Sequence, residues 1–179
     1  MGDLKNYYHN IVVPKLKEKF EYSNIHQVPK LIKISINLGL GLEAQNQTFL
    51  KKAIEELRII TGQHPVLSIA KKSISSFKIR KGVPLGLYVT LRKEKMYSFL
   101  LKLIKLVFPR IRDFNGLETT SFDSFGNYNF GIIDQLVFPE IEYDSINKKH
   151  GFNINIVTSS KTNQECFFLL KELGFPFKK

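Results

Sequence analysis

Apolar residues recur along this chain with two periods, and the switches between them divide it into elements. Leu4, Tyr7, Tyr8, Ile11 and Val12 follow helical spacing, and Pro14 is expected to open a second short helical stretch carrying Leu16 and Phe20. Pro29 introduces a strand. From Leu31 to Leu38, Ile32, Ile34, Ile36 and Leu38 alternate with Lys33, Ser35 and Asn37, the pattern of a sheet with one buried and one polar face. Gly39-Leu-Gly41 ends it. Phe49, Leu50, Ala53, Ile54, Leu57 and Ile60 line one face of a helix that stops at Gly62. Val66 to Ala70 reads as a short strand, followed by a basic segment from Lys71 to Gly82. Alternation then returns, with Leu85, Leu87, Val89 and Leu91 on one side and Gly86, Tyr88, Thr90 and Arg92 on the other.

Met96, Phe99, Leu100, Leu103, Ile104 and Val107 predict a third helix, closed by Pro109. Asp113 to Gly131, rich in Gly, Asn, Ser and Asp, reads as a loop. Leu136 to Ile141 reads as a strand that Pro139 confines to an edge or breaks. Phe152, Ile154 and Ile156 alternate with Asn153 and Asn155 in another strand. Thr162 and Glu165 form a capping box for a last helix through Leu173, which Gly174 and Pro176 end. This order predicts an α+β fold, a largely antiparallel sheet with helices packed on one side and an extended basic loop. A length of 179 residues fits one domain, with a helical segment over 1–28, an α+β body over 29–112, and a loop, strands and helix over 113–179.

Charge changes the picture from fold to function. Leu57 to Arg112 holds thirteen of the twenty-seven Lys and Arg residues and one acid, Glu94. Asp113 to Asn147 holds seven acids (Asp113, Glu118, Asp123, Asp134, Glu140, Glu142 and Asp144) and no Lys or Arg. In a chain of net charge +11, a cationic block of this size repels itself unless an anion lies against it, and nucleic acid is the common large anion. The acidic block points to a second, basic partner.

Lys71 to Gly82 packs five cations, three serines and Phe77 into twelve residues. Lys and Arg neutralise phosphates, Ser donates to phosphate oxygens, and Phe stacks on bases. A solvated loop is the plain alternative, and the acid-free surroundings favour RNA or DNA over it. Asn37 and Thr90 lie on outward strand faces and Gln63 follows a helix-ending glycine; on pattern alone these are ordinary solvent-facing polar groups. Catalytic chemistry is thinly represented. His9, His26, His64 and His150 lack metal-ligand spacing, Gly39-x-Gly41 lacks the third glycine and the lysine of a phosphate loop, and Cys166 lies among Phe167, Phe168, Leu169 and Leu170 as a buried structural thiol. No enzyme activity, cofactor or metal is expected. One cysteine gives no disulfide framework, no apolar run approaches the roughly 20 residues that span a bilayer, and Asn6 stands where a myristoylation signal has Ser or Thr. The start has neither a secretory nor a transit character.

Several segments, in order, carry a resemblance: Asn37-Leu-Gly-Leu-Gly41, Thr61-Gly-Gln-His-Pro65, Lys72-Ser73, Phe77-Lys-Ile-Arg-Lys-Gly82 and Val89-Thr-Leu-Arg92. Pro109-Arg-Ile-Arg-Asp-Phe-Asn-Gly116, Ser121-Phe-Asp123, Gly126-Asn-Tyr128, Phe138-Pro-Glu-Ile141 and Gly174-Phe-Pro-Phe177 continue it. Together they resemble large-subunit ribosomal protein L five in its bacterial-type form. The resemblance implies a non-enzymatic α+β protein that binds 5S rRNA in the central protuberance. It assigns Asn37, Gln63, Thr90, Gly39 and Arg92 to 5S rRNA, which reverses the pattern-only reading of Asn37 and Thr90. It assigns Lys71, Lys72, Ser73, Phe77, Lys78, Arg80 and Lys81 to a loop directed at large-subunit rRNA and P-site tRNA. A bridge to a basic small-subunit protein would use Asp134, Glu140, Glu142 and Asp144. The pattern departs from the family at one turn, where Ser124 and Phe125 replace Gly and Arg, removing a cation. Abundant Lys, Ile, Asn and Phe suit an AT-rich genome and suggest the plastid stroma, with the bacterial cytoplasm as the alternative. A membrane-surface or acidic-protein adaptor is the rival binding module.

Overall fold

The computed structural model describes residues 3–141 and 149–178. Its first helical run is continuous: α1, Asp3–Tyr7, passes through a π-helical turn at Tyr8–Val12 into α2, Val13–Lys19. Pro14 therefore sits inside the run and does not open a new helix. Proline lacks the N–H an interior position donates and its ring crowds the preceding turn; the wider π turn just before it makes room.

The strands are β1, Leu31–Gly39; β2, Val66–Ile69; β3, Pro84–Leu91; β4, Tyr128–Ile132; and β5, Phe152–Thr158. They form one antiparallel sheet in the order β2-β3-β1-β5-β4, with helices packed on it, as the α+β reading requires. Three further helices complete the chain: α3, Gln47–Thr61; α4, Lys93–Lys102; and α5, Asn163–Glu172. Local chemistry accounts for their ends. The Asn46 side chain accepts the N–H groups of Thr48 and Phe49 at the start of α3, and Gly62, at φ +65°, closes it through a 2.8 Å bond from its N–H to the Arg58 carbonyl. Thr162 and Glu165 form the capping box of α5 predicted from the sequence.

The chain forms two compact units. The first comprises Met1–Ile34, Arg92–Phe130 and Asn155–Lys179; the second comprises Ser35–Leu91 and Gly131–Ile154. In the first, Val12, Leu16, Leu100, Leu103, Leu169 and Leu170 are buried, with an aromatic cluster in which Phe108 stacks on Phe114 at 5.5 Å between centroids. Cys166 is fully buried there, and burial pushes its thiol up to about 11, as suits a packing residue and not a nucleophile. In the second, Leu38, Leu57, Leu87 and Leu91 are fully buried and Phe138 meets Phe152 edge to face at 5.6 Å.

Four further sequence expectations change. The loop predicted over Asp113 to Gly131 contains the start of β4, because Tyr128, Phe130 and Ile132 alternate beneath a Gly- and Asn-rich composition. The strand predicted over Leu136 to Ile141 is absent. Asp134 accepts the Leu136 N–H at 3.0 Å and starts a 3-10 turn, Gln135–Val137, so the local side-chain bond wins over a ladder. Pro109 lies within a 3-10 turn, Phe108–Arg110, that extends α4 through a π turn at Leu103–Val107. In β1 the alternation holds only from Ile34 onward: Leu31 is buried, whereas Ile32 is 40% exposed.

Candidate nucleic-acid interface

In the second unit, exposed Gly39 and buried Gly86 lie side by side on β1 and β3. The Leu40 N–H donates to the Leu85 carbonyl at 3.0 Å, and a Cβ added to Gly86 would lie 2.6 Å from the Leu38 carbonyl oxygen and 3.5 Å from the Gly39 Cα. Gly39 and Gly86 therefore meet backbone to backbone, with no side chain rising between them. On the other flank of β3, Gly86 pairs with Ser68 and Tyr88 with Val66, so these residues share the face. Asn37, two residues from Gly39, is exposed on this side; Thr90, two residues from Tyr88, is half-buried. Gly86 itself is buried, so the groups this face exposes are the Asn37 amide, Gly39, the Ser68 hydroxyl and the ring of Tyr88, which is 44% exposed.

Gln63 joins this surface through a bond invisible in the sequence. Its Nε2 donates to the Thr90 carbonyl at 3.3 Å, tying the exit of α3 to β3. The exit itself is fixed by Thr61, whose hydroxyl donates to the Leu57 carbonyl at 2.7 Å and accepts the Gln63 N–H at 3.3 Å. Gln63 and Thr90 are thus brought together, and Asn37 and Gly39 lie on the strand beside them. Arg92 is exposed and forms the N-cap of α4 without a side-chain cap bond; it belongs to the first unit.

The basic segment is a small ordered hairpin rather than an extended loop. Ile74 and Ile79 exchange backbone bonds at 2.9 and 3.1 Å around a 3-10 turn, Ser75–Phe77, and Lys78 takes a left-handed φ of +53°. The Ser73 hydroxyl accepts the Lys81 N–H at 2.9 Å, which ties the two arms together. Lys71, Lys72, Ser73, Lys78, Arg80 and Lys81 are all exposed, and Phe77 is 63% exposed beside them. Cations and a bare ring on a fixed hairpin suit phosphate neutralisation with base stacking.

The acidic residues divide. Asp134 is committed to its own surroundings: Lys149 pairs with it at 3.1 Å. Burial opposes its ionisation, but the Leu136 N–H and the Lys149 ammonium outweigh that and hold the carboxyl below its ordinary value. Glu140 is exposed, and Glu142 and Asp144 lie outside the described residues.

Sequence reasoning missed Val66, Ser68, Tyr88 and the structural part played by Gly86. A glycine on the outward side of a clean alternation was the available signal, since glycine in a strand marks close backbone approach. It also missed the approach of His150 Nε2 to within 3.2 Å of the Glu56 carboxylate. That contact joins residues far apart in sequence, with nothing local to announce it.

Known families match along nearly all of this architecture. Residues 24–80 match the family described as ribosomal protein L5, and residues 84–177 match the family described as its C-terminus. A large ribosomal subunit protein uL5c of Heterosigma akashiwo (strain NIES-293 / 8280G21-1) is 58% identical over 176 residues, 98% of this chain and 97% of that one. The uL5c of Porphyra purpurea is 56% identical and the uL5 of Picosynechococcus sp. 54% identical, each over 98% of this chain and 97% of theirs. Fold, cationic hairpin and matches together define a protein of the large ribosomal subunit, associated with the ribosome and its rRNA. The chain belongs to the ribosomal protein L5 family, and its relatives make it a plastid-type member.

Proposed function

We propose that this chain is a non-catalytic constituent of the large subunit that binds 5S rRNA through the outward sheet face. Asn37, Gln63, Thr90 and Gly39 make the contact, and Arg92 adds a cation at its own position. The observation that carries this reading is the row of uncharged polar groups on β1 and β3, where exposed Asn37 and Gly39 lie beside half-buried Thr90 and the Gln63 amide bonded to it: amide and hydroxyl groups can meet 2′-hydroxyls and base edges. The hairpin from Lys71 to Lys81 contacts large-subunit rRNA and P-site tRNA, and the acidic stretch meets a basic small-subunit protein in the plastid stroma. Lys149 already faces the charge of Asp134, which limits what that residue adds to the bridge.

Purified chain titrated with 5S rRNA and with duplex DNA tests the reading directly; equal affinity for both would overturn it. Asn37→Ala and Thr90→Ala should each weaken 5S rRNA binding by about 1–3 kcal/mol while leaving thermal unfolding as in the parent. Parent-like binding by both would remove the sheet face from the interface.

Salt separates the hairpin from the sheet. If the hairpin neutralises about five phosphates of large rRNA, the log–log dependence of affinity on salt should have a slope of about −3.5 to −4.5. Charge reversal at Lys78 and Arg80 should flatten that slope by about 1.5 to 2 and leave 5S binding largely intact. A slope unmoved by the double reversal would place the phosphate contacts elsewhere.

A further inference from the structure

Asn37, Thr90 and the basic hairpin all lie in the second unit; the first carries a cationic face of its own. Helix α4 runs from Lys93 through the π turn at Leu103–Val107 to the 3-10 turn at Phe108–Arg110. Its inner side is set by Met96, Phe99, Leu100, Leu103, Val107 and Phe108, all buried. Leu103 and Phe108 lie five residues apart, and both stay inside because the π turn bonds the Phe108 N–H to the Leu103 carbonyl. That fixes the outer side as well. Exposed Lys95 and Ser98, half-buried Lys102 and exposed Lys105 follow at steps of three and four, the spacing of one helix face, and exposed Arg110 stands beyond them.

Helix stability does not account for these charges. Lys102 and Lys105 share a face and repel. Cations suit a helix C-terminus, but Lys93 and Lys95 stand in the first turn, where the macrodipole favours acids. The one acid of the helix, Glu94, is taken by Lys5 at 2.6 Å, and the next along the chain is Asp113. Over 93–110 the exposed groups other than Glu94 are cations, Ser98, Leu106 and Pro109. This face therefore has no ring or amide with which to read a base. Leu106, 46% exposed, is its one large apolar group.

We propose that the outer face of α4 holds duplex rRNA by its sugar–phosphate backbone, without reading sequence. Lys95, Lys102, Lys105 and Arg110 neutralise phosphates, and the Ser98 hydroxyl donates to a phosphate oxygen. At about 1.5 Å per residue, positions 95 to 110 span roughly 20 Å, long enough to meet several phosphates of one backbone. Single strands are held largely by stacking on aromatic rings, which this face does not expose. An acidic protein fits less well, because a protein interface buries an apolar centre and Leu106 alone does not make one. The proposal rests on the chain being a ribosomal, rRNA-associated protein and is independent of the sheet-face and hairpin contacts.

The full chain is titrated, over a range of salt, with two RNA duplexes of about 20 base pairs and unrelated sequence. Lys105→Gln with Arg110→Gln should flatten the log–log salt slope by about 1.5–2 and weaken binding about tenfold or more at about 0.1 M salt. The loss should be equal for both duplexes, with thermal unfolding as in the parent. Lys17→Gln with Lys51→Gln removes the same charge away from this face and should leave the slope as in the parent. Asn37→Ala should lower 5S rRNA affinity without moving the duplex slope, so that the two sites can fail separately. A slope unmoved by Lys105→Gln with Arg110→Gln, or flattened equally by the control pair, would overturn the proposal. In assembled large subunits, photoreactive benzoylphenylalanine at position 106 should yield an RNA adduct; a protein adduct would overturn it in favour of an acidic protein partner.

Discussion

Tyr128→Ala should cost about 3–5 kcal/mol of stability, enough to unfold much of the first unit at ordinary temperature. Tyr128 is completely buried on β4, with Phe122, Phe177 and Phe130 at centroid distances of 4.6, 5.4 and 5.9 Å. Its hydroxyl donates to the Glu118 carbonyl at 2.9 Å. Truncation removes the ring about which the others are arranged and leaves a void that locked neighbours cannot refill. Tyr128→Phe should lose only about 0.5–1.5 kcal/mol, the net value of one hydrogen bond. Burial, reinforced by the Glu118 charge, pushes the phenol up to about 12. Its contribution is therefore full below pH about 10, the ordinary tyrosine value, and is lost as pH rises towards about 12. Urea unfolding of the three proteins across that range would check both points. Equal losses for Phe and Ala would mean that the hydroxyl, not the ring, governs stability there.

Gly86→Ala should disturb fold and binding together. The Gly86 backbone is not left-handed, so the effect is purely steric: the new methyl would lie 2.6 Å from the Leu38 carbonyl oxygen, a backbone atom that cannot swing aside. Relief requires β1 and β3 to part, and overpacking of this kind costs about 1–3 kcal/mol. Asn37 and Thr90 ride on those strands. Affinity for 5S rRNA should therefore fall at least as far as in Asn37→Ala, although Gly86 has no side chain to offer an RNA. Gly39→Ala is the control, because a Cβ there meets nothing within 4 Å and the fold should be unaffected. If Gly86→Ala melts and binds like the parent, the strands are not held by this approach.

Elements announced by local chemistry were legible in the sequence. The Asn37 and Thr90 faces, the Gly62 stop and the Thr162 capping box all follow from periodicity or capping within a few residues. The misreadings arose where two local signals competed. At Tyr128–Ile132 a period-2 pattern lay beneath turn-forming composition, and at Leu136 an apolar run was overridden by the Asp134 side chain. The cationic residues of the hairpin were legible as charge, but its cross-bridge between Ile74 and Ile79 was not. What no pattern carried were contacts between distant residues: the Gln63 amide on Thr90, the approach of His150 to Glu56, and the joining of Asp123, Asn127 and Thr158 into one rigid turn. Those depend on where the chain returns, and periodicity is silent about that.

Strand β2 closes one end of the sheet order, with Val66, Leu67 and Ile69 all substantially exposed. Such a rim, short but oily, offers another chain a template for zipping on. A molecule synthesised ahead of its rRNA would carry that rim bare, next to a hairpin whose like charges are unneutralised. Production in step with ribosome assembly then protects solubility as well as stoichiometry, and surplus copies become natural clients for chaperones or proteases.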